Sequence, residues 1–340
     1  MKQILIILGS LRLTLVTMVA LAATALGSYS NPNIPVSWVS LPLALLGINL
    51  LVVIVINRRF RQNKGLLMFH LGLLLLTVFA AIGFMTSLDA RLEITEGQDF
   101  DPADVEIVYQ GPWHRYRLDQ INFTQGKIQI DYVSELRRGE TRSKIWLTNE
   151  QGRSQPRIVG DGVTLKSAGY RFITTGNKGY SVILTWLHGE SGPVVGAINM
   201  PSFPLFEWKQ ENKWTTPSGQ QLTISLLDNS DSGVNGDAAW ILDSGSVRAG
   251  LLISENGREQ ILDEGDTIRL EKGLLRYEGV RMWIGYRVDS NPLLLWQFLA
   301  ALFAVVGLGY HFWQKFFHSP VSVRNSNDVF DIEYGRPARS

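Results

Sequence analysis

Five histidines and no cysteine decide which chemistry this chain of 340 residues can carry on its own. Without cysteine there is no disulfide, thiolate metal site or thiol nucleophile, so redox or metal chemistry must use histidine, a bound cofactor or a partner. The histidine in the most demanding surroundings is His70, near the start of the apolar run LLMFHLGLLLLTVFAAIGFMT at 66–86. At about 1.5 Å per residue, this run is long enough to cross a hydrocarbon core of about 30 Å. An imidazole there must satisfy two ring nitrogens without water, which makes it a candidate functional group. Two chemistries suit it, a proton relay and axial ligation of haem iron. The competing reading is a hydrogen bond to a neighbouring helix or snorkelling to the headgroups, since His70 lies only about 7 Å inside the span.

Besides His70, four other residues are candidates. Asn49, in the preceding apolar run, comes to a similar depth and either orients the imidazole or makes a plain interhelical contact. His311 stands at the inner edge of the last apolar run among aromatic residues, where an interfacial histidine needs no special role. His114 and His188 lie in the polar middle of the chain and read as surface groups.

The elements that place these residues follow from the apolar runs. Residues 1–86 read as a membrane domain with spans at about 4–27, 38–56 and 66–86, and a fourth span occupies 291–313. The first run offers small residues for signal cleavage, but it is longer than a typical signal core of about 7 to 15 residues and reads as a retained span. The loop NRRFRQNK at 57–64 packs four basic residues between two spans and is expected in the cytoplasm. That sets the N-terminus inside, residues 87–290 outside and the tail at 314–340 inside. Trp296 at one end of the last span, with Tyr310 and Trp313 at the other, suits the aromatic belts of the two interfaces.

Between the third and fourth spans the hydrophobic period changes to two. Ile128, Ile130 and Tyr132 alternate with Gln129 and Asp131, as on a half-buried strand preceded by a turn at Gln125-Gly126. Asn256-Gly257 between two apolar stretches signals a hairpin, and 176–179 reads as another turn. The expectation is an extracytoplasmic antiparallel β domain, closed as a sandwich or irregular barrel.

Several function classes drop out. A formal net charge of +1 leaves no footprint for nucleic acid. The acidic stretch 228–239 places Gly233 at the sixth position of a calcium-loop frame, but Ala239 stands where the bidentate Glu is required. No nucleophile-base arrangement, phosphate-binding glycine loop or zinc spacing is present in the sequence, so it gives no positive sign of a self-contained enzyme.

Taken together, GSLRLTLV in the first span, LALLGINLL followed by basic residues in the second, and FHLGLLLL followed by LEITEG in the third resemble the ResB family, also called CcsB. That family belongs to the type II (Ccs) system of cytochrome c biogenesis. The stretch YEGVRMWIGYRVDSNPLLLWQF also resembles the family's return into its last span, with Ser290-Asn291 where an Asp-Pro step is usual. The resemblance implies an α+β membrane protein with four transmembrane helices and a large extracytoplasmic β domain inserted between the third and fourth. It implies a ResC/CcsA-type membrane partner, with which haem b is carried across the bilayer and delivered to apocytochrome c. The family's third-span histidine, implicated as a haem ligand, maps to His70. A second axial ligand would come from the partner or from His311. The tryptophan-rich haem-presenting loop of that system belongs to the partner and has no equivalent here, so the chain would be at most one subunit of a haem lyase. The alternative is a non-catalytic scaffold whose β domain binds an apoprotein while the spans anchor it.

Overall fold

The structure is a computed structural model that describes residues 2–31, 33–133, 137–148, 151–187, 192–228, 238–245, 247 and 249–317. The chain divides into two compact units, one comprising 1–82 with 293–340 and the other 83–292. Among the described residues, four helices are long and apolar enough to cross a membrane: Leu11–Ser30, Val36–Ile56, Lys64–Thr86 and Leu294–Phe317. With the antiparallel sheets described below, they place the chain in the α+β class.

In the helical unit the first apolar run is not the single span expected over 4–27. It breaks into α1 (Lys2–Leu8) and α2 (Leu11–Ser30) at Gly9-Ser10. Ser10 is the reason: it leaves helical geometry at ψ 143 and its side chain accepts from Leu13 N–H, capping α2. The next helix, α3, covers Ser40–Ile56, and the basic loop contains a short helix, α4 (Arg58–Gln62). The helix bearing His70 is α5 (Lys64–Thr86), and the last is α6 (Leu294–Phe317). Most apolar side chains of α2 and α6 stay outside the fold, Val19 at 70% and Leu295 at 65% exposure, so composition rather than core packing accounts for their helices.

The β unit follows in chain order as β1 (Leu88–Thr95), β2 (Glu106–Gln110), β3 (Phe123–Tyr132), β4 (Arg138–Thr148) and β5 (Ser154–Gly160). Next come β6 (Leu165–Ser167), β7 (Tyr170–Leu187), β8 (Pro193–Asn199), β9 (Glu211–Thr215) and β10 (Gln221–Asp228). The series ends with β11 (Trp240–Leu242), β12 (Ala249–Glu255), β13 (Arg258–Leu262), β14 (Thr267–Leu270) and β15 (Gly273–Ser290). One sheet runs β2-β1-β15-β7-β6 with β14 and β8 attached, and two four-stranded sheets run β13-β12-β10-β9 and β11-β3-β4-β5. The two 18-residue strands β7 and β15 form the spine, because each contributes to both hydrophobic cores.

A bulge lets β15 serve both cores. Leu275 and Tyr277 point into one core and Met282, Ile284, Tyr286 and Val288 into the other. Tyr277 pairs with Leu184 and Gly279 with Ile183, so Glu278 is an extra residue that moves the inward-facing set from odd to even positions.

The alternation at Ile128, Ile130 and Tyr132 lies in β3 as expected, but Gln125-Gly126 is a register shift inside that strand and not a turn before it. The expected turn at 176–179 is likewise absent, since β7 continues through it. Thr174 pairs with Tyr286 and Lys178 with Ile284, so Thr175, Gly176 and Asn177 bulge opposite Gly285. A long partner strand keeps the chain extended where local turn chemistry alone would have reversed it. Asn256-Gly257 does form the β12–β13 hairpin, with φ of 50 and 80, the left-handed pair that a type I′ turn requires.

Candidate functional site

His70 lies in the second turn of α5, half-buried, with its ring against Phe60 at 4.2 Å and Phe69 at 5.1 Å between centroids. Its Nδ1 is 2.7 Å from the Leu66 carbonyl oxygen one turn back. A carbonyl only accepts, so Nδ1 carries a proton, and the imidazole tautomer that this bond selects has its lone pair at Nε2. No hydrogen bond to Nε2 occurs among the described residues.

The turn that holds His70 is itself fixed by Asn63, which the sequence reading did not single out. Asn63 caps α5: its Oδ1 accepts from Leu66 N–H at 2.9 Å. The same oxygen lies 3.2 Å from His311 Nδ1. Because this oxygen is already an acceptor, His311 Nδ1 must be the donor, and its lone pair also falls on Nε2. An Asn immediately before an apolar run is an N-cap signal available in the sequence.

Asn63 links the two histidines to one helix end without bringing their rings to one face. A Cβ added at Gly65 would lie 2.5 Å from His311 N, and one at Gly72 2.6 Å from Ala304 N. The backbones of α5 and α6 are therefore in contact along the side marked by Gly65 and Gly72, leaving no room there for a planar macrocycle. At roughly 100° per residue, His70 points about 140° away from Gly65, on the side where Leu74, Thr77 and Val78 approach Gly47 of α3.

Asn49 is occupied elsewhere. It is 2% exposed; its Oδ1 accepts from the Thr14 hydroxyl at 2.8 Å, and its Nδ2 donates to the carbonyls of Leu8 and Ser10. The Leu8 carbonyl is the last of α1, while the Ser10 carbonyl also accepts from Thr14 N–H at the start of α2, so the Asn49 side chain ties the two helices together at their break. The Gly9-Ser10 and Asn49 positions of two separate motifs thus meet at one point.

In the β unit, His114 is not the surface group expected. Its Nδ1 donates to the Thr86 carbonyl at 2.8 Å, so its Nε2 accepts from the Tyr170 hydroxyl, also at 2.8 Å. His188 and most of the acidic stretch 228–239 lie outside the described residues. Glu96 of the LEITEG motif is a buried carboxylate held by backbone donors, Ile128 N–H at 2.7 Å and Met282 N–H at 3.3 Å. The following Gly97 has φ 84, and its missing Cβ leaves space that the Arg281 guanidinium fills.

Two further features belong to this unit. A groove of about 1110 Å³ crosses the outer face of the large sheet, lined among others by Arg91, Glu93, Asn177, Ala197, Asn199 and Arg287. Lys178 on β7 is 4% exposed, with its ammonium 5.7 Å from the Tyr132 ring centroid. Burial, helped by nearby Arg138 and opposed by Asp161, pulls its pKa down to about 8. Among the described residues no three His, Asp or Glu side chains converge as a metal site. Compared with known protein families and with curated proteins, the chain gives no match.

Proposed function

We propose that the chain is an integral membrane subunit of a haem-handling, ResB-like cytochrome c maturation complex, with His70 donating one axial nitrogen. One observation carries this reading: the bond from Nδ1 to the Leu66 carbonyl locks the imidazole in the tautomer that offers a lone pair at Nε2. Metal-binding histidines are commonly oriented by such a bond from their other nitrogen. Haem is the cargo here, and its iron would accept that lone pair.

The close approach of α5 and α6 bears on where the cargo lies. Haem on His70 would use the side of α5 away from α6, and the second ligand would come from a ResC/CcsA-type partner in preference to His311. In this reading the four long helices span the membrane, residues 57–64 are cytoplasmic, and the β unit is on the outer side, where apocytochrome c receives haem. Protease added to the outer face should then cut within 87–290 and spare 57–64.

Haem absorbance of the purified full chain tests the ligand role. His70→Ala should abolish it and added imidazole should restore part of it. His70→Gln should also fail, because an amide keeps the hydrogen bond but is a poor iron ligand. A Gln variant with unchanged haem content would overturn the assignment. The groove on the large sheet favours a second reading, a scaffold that holds an apoprotein segment, which predicts maturation activity independent of His70.

A further inference from the structure

The end of β2 and the segment after it are tied to the end of α5 by four hydrogen bonds. Four consecutive residues from Phe84 to Ser87 present carbonyls at the helix C-terminus, where intrahelical donors run out. Gly111 N–H donates to Ser87 O at 2.8 Å and Trp113 N–H to Met85 O at 2.7 Å. His114 Nδ1 donates to Thr86 O at 2.8 Å, and the Tyr109 hydroxyl donates to Phe84 O. Gly111 makes the approach possible, since a Cβ there would lie 2.5 Å from the Met85 carbonyl. Residues 109–114 are therefore fixed at the level of the last turn of α5.

The side chains at this level are those of an interface. Trp113 is 61% exposed and Tyr116 45%. Arg115 and Arg117 are exposed, and neither makes an ion pair among the described residues. By contrast, two carboxylates on the neighbouring strands are already paired, Asp89 with Arg287 and Asp289 with Arg171. Uncovered aromatic rings between unpaired guanidinium groups, anchored to the end of an apolar helix, match the layer where indole and phenol rings sit among headgroups and cations meet lipid phosphate.

We propose that residues 111–117 are a lipid-facing anchor: Trp113 and Tyr116 enter the headgroup layer where α5 ends, and Arg115 and Arg117 bind the phosphates of anionic lipid. The inference rests on the reading of α5 as a membrane span. The occupant is the bilayer surface because the segment is bonded to the boundary of that span and its free charge is positive.

The absence of cysteine makes a direct test available. Pro112→Cys and, as a second variant, Tyr116→Cys each give the full chain a single thiol for a fluorescent label. Leu75→Cys in α5 and Ile158→Cys on β5 serve as references. The proteins are placed in vesicles of phosphatidylcholine, alone or mixed with phosphatidylglycerol. Labels at 112 and 116 should be quenched by a nitroxide at headgroup depth and shielded from aqueous iodide. In the anionic vesicles the shielding should rise by about threefold, and Arg115→Gln with Arg117→Gln should remove that rise. A label at 112 or 116 that behaves like the one at 158, while 75 remains lipid-quenched, overturns the anchor and leaves the span standing. Iodide access at 75 overturns both. Equal shielding in the two lipid mixtures overturns phosphate recognition by the arginines.

Discussion

His70 in the helical unit and His114 in the β unit use one ring nitrogen in the same way and differ at the other. Each donates from Nδ1 to a backbone carbonyl, Leu66 in one case and Thr86 in the other. His114 spends its second nitrogen on the Tyr170 hydroxyl, closing a bridge from the end of α5 to β7. His70 keeps Nε2 out of any hydrogen bond among the described residues. A histidine with both nitrogens spent holds the fold, whereas one with a single oriented lone pair is available to a ligand. The units differ in the same sense around these rings. The β unit satisfies buried polar groups internally, as with the Tyr286 hydroxyl, whose proton burial retains up to about 12 while it donates to Gln125 Oε1 at 3.0 Å. The helical unit leaves broad apolar faces uncovered.

The largest effect should come from setting the two histidines against each other. His70→Ala is expected to lower haem content more than about tenfold without loss of folded protein, because the axial nitrogen is removed and little packing is lost. His114→Ala should leave haem content unchanged. Haem loss in a well-folded His114 variant would erase the distinction between the two sites.

Next in size is Lys178, the charge that the β unit buries at a cost. Its pKa of about 8 in the fold, against 10.5 in the unfolded chain, means that the unfolded chain binds more protons between these values. Stability should therefore rise with pH from about 8 toward 10, by at most about 3 kcal/mol. Lys178→Met should raise the melting temperature at pH 7 and abolish this rise. Tyr132 and Tyr277, whose pKa values burial raises to about 12, act in the opposite direction but only above pH 10, where their unfolded forms ionise. A Met variant no more stable than the parent at pH 7 would show that the buried ammonium carries no penalty.

His114→Ala should destabilise the β unit by about 2 kcal/mol in thermal melts, since the Thr86 carbonyl and Tyr170 hydroxyl both lose a partner away from bulk water. Asn49→Ala should have the smallest effect, about 1 kcal/mol or less, although Asn49 is more buried and makes more bonds. Polar contacts between helices in lipid are weak because the unfolded reference also finds partners there. Finding Asn49 costlier than His114 in denaturant titration of the protein in micelles would reverse this ranking.

What the sequence determines by itself is local. Apolar runs of sufficient length specify the four long helices, because a helix satisfies its own backbone whatever surrounds it. Period-two alternation and Asn256-Gly257 specify β3 and one hairpin for equally local reasons. The β7 bulge mistaken for a turn and the parity switch in β15 depend on partners far along the chain. The same holds for the candidate site. The placement of His70 in an apolar run is written in the sequence, but its tautomer depends on which carbonyl its ring meets, and its separation from His311 on which side of α5 contacts α6. Asn49 and His114 became structural residues only in three dimensions. Each donates to carbonyls at a helix end, Asn49 to Leu8 and Ser10 and His114 to Thr86, and which helix end lies within reach is decided by tertiary packing.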